Sequence, residues 1–153
     1  MRFELNCYAP HSTYGDRMAL NLAELFRFET GLVAVPAGKP LFTVGEPGDR
    51  MYVLMEGDAV VMVGDTVVER ALPGALLGEL ALIEQAVRSA TVIATTDCQF
   101  LPIDARRFQF LVQQTPNFAL HVMRTMADRL RRADLLLLER KADTNPSNFK
   151  PGG

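Results

Sequence analysis

Gly78-Glu79-Leu80-Ala81-Leu82-Ile83-Glu84-Gln85-Ala86-Val87-Arg88-Ser89-Ala90-Thr91 is the stretch around which this 153-residue chain is organised. It opens on a glycine, which lets backbone come close to a ligand, runs on as a short apolar helical turn, and closes on an arginine leading into a β-prone run. That order of residues predicts an anion site. The first N–H groups of such a helix, near Gly78, Glu79 and Leu80, point beyond its start, and the Arg88 guanidinium is a planar fork suited to phosphate. Glu79 narrows the ligand, because a carboxylate in the first turn repels an anion unless it engages something neutral. A ribose hydroxyl is neutral and donates to a carboxylate, so the pair suggests a phosphate and a sugar hydroxyl held close together. The plain alternative is a structural ion pair between Glu79 and Arg88, with the glutamate favourable at a helix start whatever lies beyond it.

Gly-Glu-Leu-Ala-Leu at 78–82 followed by Arg-Ser-Ala-Thr-Val at 88–92 resembles the phosphate-binding cassette of cyclic nucleotide-binding domains. That family includes the regulatory subunit of cyclic AMP-dependent protein kinase and the bacterial catabolite activator proteins, and the glutamate-to-arginine step here is closer to the kinase type. The resemblance implies a jelly-roll barrel over about Leu32 to Ala133. It implies that Glu79 takes the ribose 2′-hydroxyl, that Arg88 takes the cyclic phosphate, and that Gly78, Leu80, Ala81, Ser89 and Ala90 add backbone or hydroxyl contacts. Ser89 reads equally well as an edge serine of a strand. Val61 is the candidate wall for the base. The implied ligand is cyclic AMP or cyclic GMP, with cyclic AMP favoured, although the bacterial activators contact adenine through hydroxyl side chains where Ala133 and Asp134 are nearest here.

On either side of the cassette the pattern is mainly β with flanking helices. From Asp16 as N-cap, Met18, Leu22, Leu25 and Phe26 recur at helical spacing, with a stop expected near Thr30-Gly31. Short β-prone runs follow at Leu32–Val35, Leu41–Val44, Met51–Met55, Ala59–Val63, Val67–Leu72, Thr91–Ala94 and Gln99–Ile103. Glycine-containing breaks separate several of them, and Gly57-Asp58 and Gly64-Asp65 fit two-residue hairpins with glycine first. Many short strands so spaced predict a β jelly-roll barrel, at about 32–104, with one N-terminal helix and C-terminal helices at 105–141. Asp104 caps the first of these, and Thr115-Pro116 begins the second. In that last helix Ala119, Met123, Met126, Leu130, Ala133 and Leu137 keep a coiled-coil spacing, and Leu135–Leu138 makes it apolar all round. Burial of each leucine is worth roughly 1.5–3 kcal/mol, so a partner subunit is expected along 116–141. Residues 1–141 read as a single domain and 142–153 as a disordered tail.

Composition limits the function. At 48% hydrophobic and 22% charged residues, with net charge −2, the chain has apolar material for one core and no overall pull toward nucleic acid or anionic membrane. No signal peptide or run of about 18 apolar residues is present, which places the expectation in the cytoplasm and off the membrane. Cys7 and Cys98 read as free thiols. His11 and His121 lack partners at metal spacing, so no metal and no cofactor is expected. Arg124, Arg129, Arg131 and Arg132 alternate with Asp128 and Asp134, as a solvated helix face does, and Arg129 is also in reach of a bound phosphate or an opposite subunit. The expectation is a sensor rather than an enzyme: a regulatory domain that relays ligand occupancy through its last helix to an unknown protein effector, without direct DNA contact. The alternative is a dimeric interaction module of the same fold with a purely structural cassette.

Overall fold

A computed structural model describes residues 20–143 of the chain. The arm over 1–15, the helix start at Asp16 and Met18, Cys7, His11 and the tail beyond residue 143 lie outside the described residues. Within them the order is α1 (Leu22–Leu25), β1 (Val33–Val35), β2 (Pro40–Phe42), β3 (Arg50–Glu56), β4 (Ala59–Val63), β5 (Thr66–Ala71) and β6 (Leu76–Leu77). There follow α2 (Glu79–Glu84), β7 (Thr91–Ala94), β8 (Cys98–Asp104), α3 (Ala105–Gln114) and α4 (Pro116–Asp143).

All strand pairing is antiparallel and builds two four-stranded sheets, β1-β8-β3-β6 and β2-β7-β4-β5. This is the jelly roll expected from the sequence, formed as two facing sheets; no ladder among the described residues joins one sheet to the other. Leu54, Leu77 and Phe100 from the first sheet meet Phe42, Ala59 and Val92 from the second in one core. A second core lies on the other face of the first sheet, where Met51, Val53, Leu76, Leu101 and Ile103 meet Leu22, Phe26, Leu82, Phe118 and Val122 of the helices. Strands β3 and β8 are therefore buried on both faces, which is why they read as near-continuous apolar runs rather than alternating ones. The two-residue β6 had no such pattern; it exists because Leu76 and Leu77 pair with Val53 and Tyr52.

The two Gly-Asp turns differ from one another. Gly64-Asp65 closes a hairpin, with Val63 opposite Thr66. Gly57-Asp58 is not a hairpin, because β3 and β4 belong to different sheets and the turn carries the chain across. It is held by the β7–β8 connection, which crosses back beside it. Asp58 N donates to Thr96 Oγ1 at 2.9 Å, and Thr95 N donates to Asp58 O at 2.9 Å. A side chain at Gly57 would strike the Asp97 carbonyl.

The helices also differ in detail from expectation. Within the described residues α1 is a single turn capped by Asn21, whose Oδ1 accepts from Glu24 N at 3.2 Å, and it stops at Phe26 rather than near Thr30-Gly31. There the Phe26 ring meets Phe118 edge-on, 6.4 Å between centroids, and the chain turns toward β1. Asp104 caps α3 as expected, accepting from Arg107 N at 2.8 Å. In α4, Phe118 and Val122 are the fully buried positions. The predicted seam is largely turned away from them: Met123, Leu130 and Leu137 are 57%, 64% and 57% exposed. No helix of the described residues is long and apolar enough to cross a membrane.

Candidate functional site

β6 hands the chain to α2 through Gly78, which sits at φ 77 and ψ 17 in the left-handed region. Glycine adopts that conformation without strain. A Cβ here would also lie 3.2 Å from the Phe42 ring and collide with Arg88 Nη1. No side chain caps the start of α2, so no side-chain oxygen competes for its first N–H groups.

Arg88 returns to this point from the other end of the segment. Its backbone is pinned to the loop before β3, with Arg88 N donating to Glu46 O at 2.8 Å and Gly45 N donating to Arg88 O at 2.9 Å. Its side chain is buried, 5% exposed. Nη1 donates to the Gly78 carbonyl at 3.2 Å, Cζ lies 4.2 Å from the Phe42 ring centroid, and Tyr52 lies further off at 5.8 Å. The backbone closes over it at Gly48, where a Cβ would come within 2.8 Å of both Nε and Cζ. Among the described residues Arg88 has no ion-pair partner, and its buried Nε has no hydrogen-bond acceptor. Burial pulls its pKa below the ordinary arginine value, opposed by Tyr52, Asp49 and Glu46.

Glu79, 3% exposed, is not paired with Arg88, so the plain ion pair offered by the sequence does not form. Its Oε1 accepts from Arg129 Nη1 of α4 at 2.6 Å. The same guanidinium donates from Nε to Glu69 Oε2 at 2.9 Å, and from Nη2 to Glu69 Oε1 at 3.2 Å and to the Leu76 carbonyl. One side chain thus ties α4 to β5, β6 and α2. Burial pulls the Arg129 pKa down, but the Glu69 hydrogen bonds and the Glu79 and Glu69 charges outweigh it, and the pKa ends above the ordinary value. Arg129, which the sequence placed within reach of a phosphate or an opposite subunit, instead engages carboxylates of its own chain.

Between the second sheet, the α2 segment and α4 lies a cavity of about 560 Å³, a volume usual for a small-molecule site. Gly78, Glu79, Leu80, Ala81, Arg88, Ser89, Ala90 and Val61, the residues singled out in the sequence, all line it. So do Phe42, Val63, Thr66, Val68, Glu69, Arg132, Leu136, Leu137 and Arg140, which were not assigned to it. Ala133 lines it as well. A signal for the strand residues was present: Val61 with Val63, and Thr66 with Val68, each share a strand face at i, i+2. Nothing local linked Glu69 to Arg129. Among the described residues no three His, Cys, Asp or Glu side chains gather in a metal-binding group. Cys98 is a buried free thiol.

The sequence profile of the cyclic nucleotide-binding domain matches residues 32–115. The chain belongs to the cyclic nucleotide-binding domain family. The cyclic nucleotide-gated potassium channel mll3241 of Mesorhizobium japonicum is 40% identical over 95 residues, covering 62% of this chain and 26% of the channel. The cyclic AMP receptor protein of Thermus thermophilus is 33% identical over 109 residues, covering 67% of this chain and 50% of the receptor. The solved catabolite activator protein of the same organism superposes with a TM-score of 0.64 at 26% identity, over 88% of this chain and 62% of that one. The domain therefore spans about a quarter of the channel and about half of the receptor. Its cassette resemblance at 78–92 and its family membership agree, and the cavity of this cyclic nucleotide-binding domain lies at that cassette.

Proposed function

We propose that this domain is a sensor of cyclic nucleotide, cyclic AMP in preference to cyclic GMP, and that it acts by binding and relay rather than by catalysis. The observation that carries the reading is Arg88: a buried cation with, among the described residues, no acid in ion-pair range and no acceptor for its Nε, on the wall of a nucleotide-sized cavity. Burial of a charge is tolerated when a partner arrives, and a cyclic phosphate supplies one. Glu79 is suited to the ribose 2′-hydroxyl because Arg129 occupies only Oε1, and Oε2 has no protein donor among the described residues. Leu80, Ala81, Ser89 and Ala90 complete the seat, and Val61, with Val63 and Val68, forms a wall for the base. Those apolar side chains favour adenine, since guanine brings further polar groups that would be left without partners.

The relay runs through Arg129. A ligand hydroxyl on Glu79 changes the charge distribution of the carboxylate that holds α4, and so favours one position of the helix by differential contacts. The exposed Leu130 and Leu135–Leu138 of α4 support a homodimer along 116–141, and the proposed recipient of the output is a protein effector in the cytoplasm. The rival reading, an interaction module with a structural cassette, draws on the Arg129–Glu79 bond, which gives Glu79 a purpose without any ligand. Calorimetric titration with cyclic AMP and cyclic GMP separates the two. Saturable one-to-one binding, tighter for cyclic AMP, is expected; heats indistinguishable from dilution for both nucleotides would leave the interaction module standing.

A further inference from the structure

We infer that Phe42 is a positioning residue for Arg88, its ring face holding the buried guanidinium where a carboxylate would otherwise stand, so that the charge is fixed yet still free for an anion. The inference rests on the proposed role of Arg88 as the phosphate partner. Buried arginines are ordinarily paired, because an isolated buried charge is costly. Arg88 has no acid in ion-pair range among the described residues; it has the Gly78 carbonyl on Nη1, the Phe42 ring at 4.2 Å and, further off, the Tyr52 ring at 5.8 Å. An acid at that place would take up the N–H forks that a phosphate needs. A ring face attracts the cation through its quadrupole and leaves the in-plane N–H groups unspent.

The ring is itself held. Phe42 ends β2 and is 7% exposed within the sheet-to-sheet core. Its centroid lies 6.2 Å from that of Tyr52, which in turn meets Phe100 edge-on at 6.4 Å. A chain of aromatic contacts thus runs from a fully buried phenylalanine to the cavity wall. Gly48 and Gly78 complete the seat, since a side chain at either would push the guanidinium off the ring.

The test compares Phe42→Leu, Phe42→Met and Phe42→Tyr by calorimetry with cyclic AMP, together with the Arg88 side-chain Nε–H resonance in 1H–15N spectra of the free proteins. In the parent and in Phe42→Tyr that resonance is expected to be shifted by the ring current, with affinities within about threefold of each other. In Phe42→Leu and Phe42→Met the shift is lost and affinity falls ~10- to 30-fold, the range expected of a desolvated cation–π contact. Phe42→Met, the closer in volume, decides the matter if Phe42→Leu does not fold. Leucine or methionine variants that bind within twofold of the parent overturn the inference while leaving the sensor reading intact, as does equal loss in the tyrosine variant. Absence of a ring-current shift in the parent overturns it without any ligand. A parent that binds neither nucleotide removes the sensor reading, and this inference with it.

Discussion

Arg88 and Arg129 line the same cavity, and the fold holds them by opposite means. Arg129 meets two carboxylates and a carbonyl, with every nitrogen of its fork engaged, and its pKa is raised in spite of burial. Arg88 meets one carbonyl and the Phe42 and Tyr52 rings, has no acceptor for Nε among the described residues, and has a pKa lowered by its burial. A saturated guanidinium contributes to the folded state; an unsaturated one costs stability until something binds. The contrast separates the two ends of the cavity: the α4 end is anchored, and the cassette end is left open.

The largest effect is expected from Arg129→Met. It leaves the buried Glu79 without a counter-charge and the half-buried Glu69 with only Arg132, at 3.7 Å, and ligand-free stability in urea should fall by about 3 kcal/mol or more. A loss under about 1 kcal/mol would mean that Arg129 is no anchor. Next comes Arg88→Leu, in which ligand-free stability should stay within about 1 kcal/mol of the parent, because an orphaned polar group leaves together with the charge. The same variant should lose the roughly 2.7 kcal/mol of stabilisation that ligand at a hundred times its dissociation constant confers on the parent. If thermal melts instead show Arg88→Leu as damaged as Arg129→Met, the two arginines are both structural and the contrast collapses. The smallest effect belongs to Glu69→Gln, which keeps a hydrogen-bonding oxygen for Arg129 but removes one charge. About 1 kcal/mol of destabilisation is expected, and a loss equal to that of Arg129→Met would show that Glu69, rather than Glu79, carries the anchor.

Much of the strand pattern was legible. Ala59–Val63 and Thr91–Ala94 match expectation residue for residue, and the other expected strands shift by a residue or so at their ends. They were readable because β-branched runs and glycine breaks are local signals. The two-residue β6 and the crossing at Gly57-Asp58 were not, because each depends on a strand remote in sequence. The face of α4 that packs inward was not legible: Phe118 and Val122 are buried, one position away from Ala119 and Met123 of the seam expected to face a partner subunit. A helix apolar on several sides does not say which side its own sheet will take.

The residues Gly78, Glu79 and Arg88 carry an anion-and-hydroxyl chemistry in their order, and the resemblance of the 78–92 cassette pointed to the family that the sequence profile matches. What only the tertiary structure decided is who holds each charge. Phe42 under Arg88, and Arg129 with Glu69 around Glu79, are contacts between elements far apart along the chain. Such contacts leave no periodic trace, because packing selects them after the backbone has closed, and neither residue is marked by its neighbours in sequence.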